Sequence, residues 1–484
     1  MPSTRFFRTR QSVKSIIAAA VFLTAGIVFL LSKSHHFAEP INGVPLTSLE
    51  GIAPENENDG TESGDCYVDL DLLKSYGYKD SAQYERWEIA VRRSAAFTGF
   101  SDKLNVPVPT FQKISLNTDK HRMFLSQARC SPTVTIEAPI PRARADASHM
   151  AFGVSTSLER LSESLEPFAH WAGGTGARIF AMVDVVPKKE KAKVLSRAQE
   201  LNIKLTIIES REEWLDRYFR LTKVLWDNRD AHTQWAVIID DDTFFPSMSN
   251  LVERLATYDA TKPYYIGAPT ENWGQMNIFS YMAYGGAGIF LSIPLLQQMN
   301  DVYDECYAFK DHGDKRISQC IYQHTTTKLT WDRGLFQVDF GGDVTGFFES
   351  GRPLPLSIHH WKSWYDLDVV ALSRAADICG DDCQLRRWRI SDKWYFVNGF
   401  SLVQYSSSMN DMTGMEQTWD PSDWAREQGY AFSLGPLRPK DEGKKSYRMK
   451  SAILEDGRLR QVYVYEPEEP SPPQILEVVW TVMN

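Results

Sequence analysis

Three carboxylates in a row, Asp240, Asp241 and Asp242, directly follow the apolar run Trp235–Ile239. Charges leaving a hydrophobic strand repel one another and are costly unless something neutralises them. In an extended chain Asp240 and Asp242 point to the same side, so their carboxylates can converge on one hard divalent cation. Such a cation can bridge a diphosphate. A solvated acidic turn is the plain alternative for an isolated triplet, but the buried residues directly upstream favour the metal. Two other acidic motifs do not fit. An EF-hand loop wants glycine at its sixth position, where Phe245 stands. A phosphotransferase of the Asp-x-Asp-x-Thr/Val kind would place Thr or Val at Phe244, and its strand would open the domain.

The surrounding text supplies elements to hold such a site. From residue 149 four apolar runs, "MAFGVS", "ARIFAMVDV", "IKLTIIES" and "WAVIID", alternate with stretches of helical spacing such as Leu158, Leu161, Leu165 and Phe168. That alternation predicts an α/β fold, a Rossmann-like, mostly parallel sheet with flanking helices. Ligands in such sheets bind beyond the carboxyl ends of the strands, where the triplet sits. The motifs "YYIGAP", "YGGAGIFLS", "GDKRISQCIYQH" (a short helix) and "LSIHHW" follow in order.

Outside this region, the 484 residues allow two or three domains, at roughly 100–200 residues each. Residues 1–14 read as a cytosolic tail, because Arg5, Arg8, Arg10 and Lys14 precede the uncharged stretch 15–32. That stretch of 18 residues sits near the lower end of the roughly 17–25 that span a bilayer and lacks a good cleavage site, so it reads as an uncleaved transmembrane anchor. Residues 33–65 are polar and turn-rich, a stem. Residues 66–148 form an N-terminal extension, with a helix expected over 81–97. The sheet domain is placed at 149–390, and a small antiparallel β-rich module at 391–484. Six cysteines on the far side of the anchor permit disulfides. Cys379 with Cys383 can close a small loop, and Cys306 with Cys320 can brace another. The net charge of −9 argues against nucleic acid as a partner.

"WAVIIDDDTFF", "YYIGAP", "YGGAGIFLS" and "LSIHHW", over about 200 residues, resemble the Fringe-like glycosyltransferases of family 31, which have many fungal members. The resemblance implies a GT-A fold, a UDP-sugar donor, Mn2+, inversion at the anomeric carbon, and a single-pass type II protein of the Golgi membrane with a lumenal catalytic domain. Carried over, Asp240 and Asp242 become the DxD pair that binds metal, with Asp242 the more direct ligand and Asp240 nearer the ribose or the metal's water shell. His359 or His360 completes the metal site. Donor-binding candidates are Gly153, Ser155, Thr156, Asp184, Asp240 and Asp241, with Gly285, Gly286 and Gly288 giving the donor sugar close backbone approach. Strand-to-helix capping is the plain reading of the hydroxyl residues. Trp273 is the candidate to stack on the acceptor, against a plain core role. The family carries paired acids before an apolar helix; here only Asp314 is present, with Lys315 where a second acid would stand. Asp314 is the expected general base, with Asp311 as its fallback.

These readings make the chain a hexosyltransferase acting on a glycan or glycoprotein acceptor. The alternatives are a catalytically inactive lumenal glycan-binding or chaperone-like protein on the same fold, motivated by Lys315, and a metal-dependent phosphohydrolase.

Overall fold

The computed structural model describes residues 66–483, apart from 312, 410–413, 421–430 and 469. The expected tail, anchor and stem lie outside the described residues. Among the described residues no helix is long and apolar enough to cross a membrane.

The principal strands in chain order are β1 (Ser81–Ser94), β2 (Met150–Ser155), β3 (Arg178–Val183), β4 (Lys204–Glu209), β5 (Trp235–Ile239), β6 (Tyr265–Gly267), β7 (Ile289–Ser292), β8 (Leu329–Trp331), β9 (Lys445–Glu455), β10 (Arg458–Tyr465) and β11 (Gln474–Met483). The helices that bear on the site are α1 (Leu158–Ala172), α2 (Lys188–Glu200), α3 (Trp214–Asp227), α4 (Met248–Leu255), α5 (Trp273–Phe279), α6 (Ile293–Asp301) and α7 (Gly313–His324).

The expected α/β sheet is present. Seven strands lie in the order β8-β6-β7-β5-β2-β3-β4. The sheet is parallel except for β7, which runs antiparallel to both β6 and β5. Its centre explains why "WAVII" is apolar without a break. Trp235, Val237 and Ile239 enter the core shared with α1, while Ala236 and Ile238 enter the core shared with α3. A strand covered on both faces needs both sets of side chains apolar. Each buried Val or Ile contributes about 1.5–3 kcal/mol, so the register is firmly set and Asp240 is the first residue to emerge at the rim.

The expected helix over 81–97 is instead β1, a strand of 14 residues. Its Ala, Glu and Arg residues suit a helix, but that preference is local and weak. Burial of Trp87, Ile89 and Val91 among residues of distant strands overrides it. β1 pairs in parallel with β11 over ten residues, from Gln83 opposite Gln474 to Arg92 opposite Met483. The separate N-terminal extension and small C-terminal module are therefore one structure. Both contribute to a nine-stranded sheet whose central order is β9-β10-β11-β1. Sequence windows see neither partner of such a pairing. Disulfides join Cys306 to Cys320 and Cys379 to Cys383, and also Cys66 to Cys130.

Candidate active site

Three segments meet at the carboxyl end of β5. The register that sets Val154 opposite Ile239 leaves Ser155 level with the start of the acidic triplet. Because β7 runs antiparallel to β5, with Ile289 opposite Ile238, the turn before it, Gly285–Gly288, reaches the same rim. The third segment is pinned by Phe244 and Ile358, whose backbones exchange hydrogen bonds of 2.8 and 2.9 Å. That pairing lays His359 and His360 opposite the triplet. The glycine turn is clamped as well: Thr243 Oγ1 donates to the Gly286 carbonyl at 3.0 Å and Ser357 Oγ to the Ala287 carbonyl at 2.7 Å.

Asp240 and Asp242 do share a side. His359 Nε2 lies 2.9 Å from Asp242 Oδ1 and 3.4 Å from Asp240 Oδ2. Its other ring nitrogen, Nδ1, donates to the Gln337 carbonyl at 3.1 Å. A backbone acceptor on one nitrogen orients the ring and leaves the other for a ligand, the usual support of a metal-binding histidine. Burial disfavours charge on His359, yet the two carboxylates outweigh it and hold its pKa well above the ordinary value. Burial likewise pushes Asp242 up, but His359 prevails and holds it well below the usual carboxylate range. Two carboxylates and one nitrogen facing a common point thus need a positive charge, which a proton on His359 or a divalent cation supplies. The donor set fits Mn2+ or a similar ion.

His360 is less available. Atoms of Asp242, His359 and His360 lie within 4.8 Å of one another, but His360 Nδ1 is hydrogen-bonded to Ser363 Oγ and Nε2 to Asp339 Oδ1, both at 3.0 Å. Of the two candidate histidines, His359 is the one whose Nε2 faces both Asp240 and Asp242. Asp241 points elsewhere. Arg160 Nε donates to its carboxylate at 2.7 Å, Thr156 Oγ1 donates to it as well, and Lys362 Nζ lies 3.5 Å away. The triplet therefore divides its charge, with two carboxylates neutralised at the histidine and one by basic side chains.

A cavity of about 300 Å³ opens beside the cluster, lined among others by Asp240, Asp314, Asp339 and His359, with Trp214 and Trp364 among its aromatic residues. Asp314 enters it from the first turn of α7. Burial first, and then the charge of Asp240, raise its carboxyl to about 7, against the pull of backbone amides. Asp311 is turned away: it accepts from Gln319 Nε2 at 2.6 Å and pairs with Lys315 Nζ at 3.0 Å. Lys315, the departure from paired acids, is thus drawn to Asp311, and of Asp311 and Asp314 it is Asp314 that lines the cavity.

Other expected residues are placed differently. A side chain on Gly153 would meet Leu221 and Leu225 of α3 at 3.2 Å, so close helix packing accounts for that glycine. Ser155 Oγ is buried with no hydrogen-bond partner among the described residues. Asp184 follows β3, exposed, and accepts from Arg217 Nη1 at 2.6 Å. At Gly285 and Gly286 a Cβ would overlap the Tyr218 hydroxyl and the His359 ring respectively, so the room they leave is filled by the protein's own side chains. Gly288 needs its glycine for a φ of +94°. Trp273 is 46% exposed and packs edge-on against Phe432 at 5.4 Å. It is not among the residues lining the cavity.

Sequence reasoning missed Tyr218, Gln337, Asp339, Trp214 and Trp364. Tyr218, whose hydroxyl sits between Gly285 and Asp240, was legible only as one position of a helical apolar face. Gln337 and Asp339 come from an irregular loop with no period to read. The one available signal was the alternation of polar and apolar residues in "FQVDF" shortly before the histidine pair.

The family model DUF604, a protein of unknown function, matches residues 275–368. That stretch contains the glycine turn, Asp314, Asp339 and His359, but not the acidic triplet. A comparison with curated proteins finds no match. Among solved structures, a mannosyltransferase from Pyrobaculum calidifontis in complex with GDP-Man and Mn2+ is similar at 13% identity and a TM-score of 0.27, covering 40% of this chain and 59% of its own. The chain thus spans less than two thirds of that protein's length. A galactosyltransferase, LgtC, in complex with donor and acceptor sugar analogues is similar at 11% identity and a TM-score of 0.28, covering 41% and 77%. Mouse xyloside xylosyltransferase 1 is similar at 9% identity and a TM-score of 0.26, covering 38% and 84%. Likenesses of this size carry no assignment of activity, which rests on the residues of this chain.

Proposed function

We propose that this chain is a cation-dependent glycosyltransferase that moves a sugar from a UDP-sugar to a glycan or glycoprotein acceptor, with inversion, on a GT-A-type sheet. The single observation that carries this reading is the meeting of Asp240, Asp242 and His359 at one point of the sheet rim, with Asp314 lining the same cavity. A divalent ion held there, Mn2+ on the family resemblance, would stabilise the charge that develops on the departing diphosphate. Asp240 and Asp242 would supply oxygen ligands to it, and His359, whose ring is fixed by the Gln337 carbonyl, would offer Nε2. Asp314 takes the proton from the acceptor hydroxyl as that oxygen bonds to the anomeric carbon. The bond from this carbon to the diphosphate oxygen breaks, and UDP leaves with the electron pair. A base raised toward neutrality suits such a step. One displacement by the acceptor itself inverts the carbon. In the same reading residues 15–32 anchor a type II Golgi membrane protein, and the three disulfides support an oxidising compartment.

The test is UDP release by the full-length chain from a panel of UDP-sugars with Mn2+. Turnover of one donor is expected, abolished by chelation and by Asp242→Ala with circular dichroism unchanged. Hydrolysis of phosphate esters without any UDP-sugar turnover would instead mark a phosphohydrolase. Glycan binding with no turnover at all would mark an inactive lectin-like protein.

A further inference from the structure

We infer that the acceptor is a pyranose seated on the indole of Trp364, so that the chain extends an existing glycan rather than starting one on a polypeptide side chain. This rests on the transferase reading and names its acceptor class. Trp364 lines the cavity that contains Asp314 and is 51% exposed. One of its faces is covered: the His360 ring lies parallel to it, with centroids 3.8 Å apart and planes at 4°. His360 is itself held at both nitrogens, by Ser363 and Asp339. The turn is closed by the Trp364 amide, which donates to the His360 carbonyl at 3.1 Å. The indole is therefore a fixed platform that remains half exposed, and a ligand settling on it spends little on ordering the protein.

A large aromatic surface left half exposed at a cavity is the mark of a recognition site rather than of a core. A pyranose ring offers a matching face of C–H groups, with hydroxyls around its edge that need acceptors. Asp339 supplies one in the same cavity: its carboxylate gives Oδ1 to His360 and has lone pairs beyond that bond. The base decides which substrate this is. Asp314 must touch the acceptor hydroxyl, so the part of the cavity around it takes the acceptor, while Asp240 and His359 in the same lining face the donor diphosphate. Of the donor candidates, Ser155, Thr156 and Asp184 are not among the residues lining it, whereas Asp240 is.

Two measurements on the full-length chain test this. In saturation-transfer NMR with UDP and Mg2+, a panel of p-nitrophenyl pyranosides should include at least one binder, and a sugar-free Ser/Thr-rich peptide should not bind. With the donor that wild type turns over, Trp364→Ala should raise the KM for that pyranoside at least tenfold. Its Kd for UDP should stay within twofold, while Trp364→Phe restores part of the KM. Transfer to the bare peptide, an unchanged KM, or a defect that falls on UDP affinity overturns the inference while leaving the transferase reading intact. Pyranoside binding lost in Trp364→Ala, with no UDP-sugar turnover by wild type, would support the platform and defeat the transferase reading instead. No pyranoside binding overturns the inference.

Discussion

A hydrogen is all that fits on Gly286 beneath His359: a Cβ there would overlap the imidazole ring. The same ring is fixed on its other side by the Gln337 carbonyl. A backbone turn and a side chain distant in sequence are thus shaped to each other, and the product is the direction in which Nε2 points. Gly286→Ala is expected to leave the fold in place and shift the ring. Disturbing such support weakens cation affinity by about 10–100-fold, read by Mn2+ titration of UDP release. An affinity within threefold of wild type would show that the ring does not set the site.

On the proposed mechanism Asp314 sets the pH dependence. Its folded pKa is raised from 3.8 to about 7 by burial and by Asp240. A cation on Asp240 removes part of that repulsion, so the working value falls between these limits. The base form exists above its pKa, hence kcat/KM should rise with pH through an acid limb lying between 3.8 and about 7. Asp314→Asn should cost about 10²–10⁴-fold, as loss of a general base does, and abolish that limb. Retention of the limb in the variant would assign it to another group.

Glu271 makes a stability prediction with the opposite sign to the usual acid. Its carboxylate, buried among the backbone amides of Gln337 and Asp339, accepts from them at 2.9 and 3.2 Å. Burial, then the charge of Asp339, raise its pKa from 4.5 to about 7. The folded state holds this proton more tightly than the unfolded one, so stability falls as pH rises through that window, by an amount on the order of 3 kcal/mol. Glu271→Gln removes the titration. Its Tm relative to wild type should be higher at pH 8 than at pH 5, and equal differences at the two pH values would count against the shift.

The nine-stranded sheet is held by a buried charge cluster as well as by its aromatic core. Glu477 on β11 accepts from Arg86 Nη1 of β1 at 2.9 Å and from Arg460 Nη2 of β10 at 2.6 Å. Glu477→Ala leaves both guanidiniums without that partner, at a cost of about 3–5 kcal/mol. The denaturant midpoint should fall accordingly. A small shift would mean that the cluster is hydrated or replaceable.

These relationships also show what the amino-acid order discloses. The triplet and the histidine pair each follow a short apolar run and the glycine turn precedes one, so β5, β7 and the 357–358 segment could be read locally, and they bring Asp240, Asp242 and His359 together. α7 was equally plain, and with it Asp314. Reading failed where the deciding force came from far away. β1 looks helical until β11 is placed beside it. Gln337, Asp339 and Trp364 sit on irregular backbone whose path is set by packing. Gly285 and Gly286 admit Tyr218 and His359, which only three-dimensional proximity reveals.

The most direct test is a calorimetric titration of the full-length chain with UDP, with and without Mn2+. The account predicts binding that weakens at least 100-fold when the cation is chelated, and equally in Asp242→Ala and His359→Ala. UDP affinity that is the same with and without Mn2+, or that survives both substitutions, would contradict it.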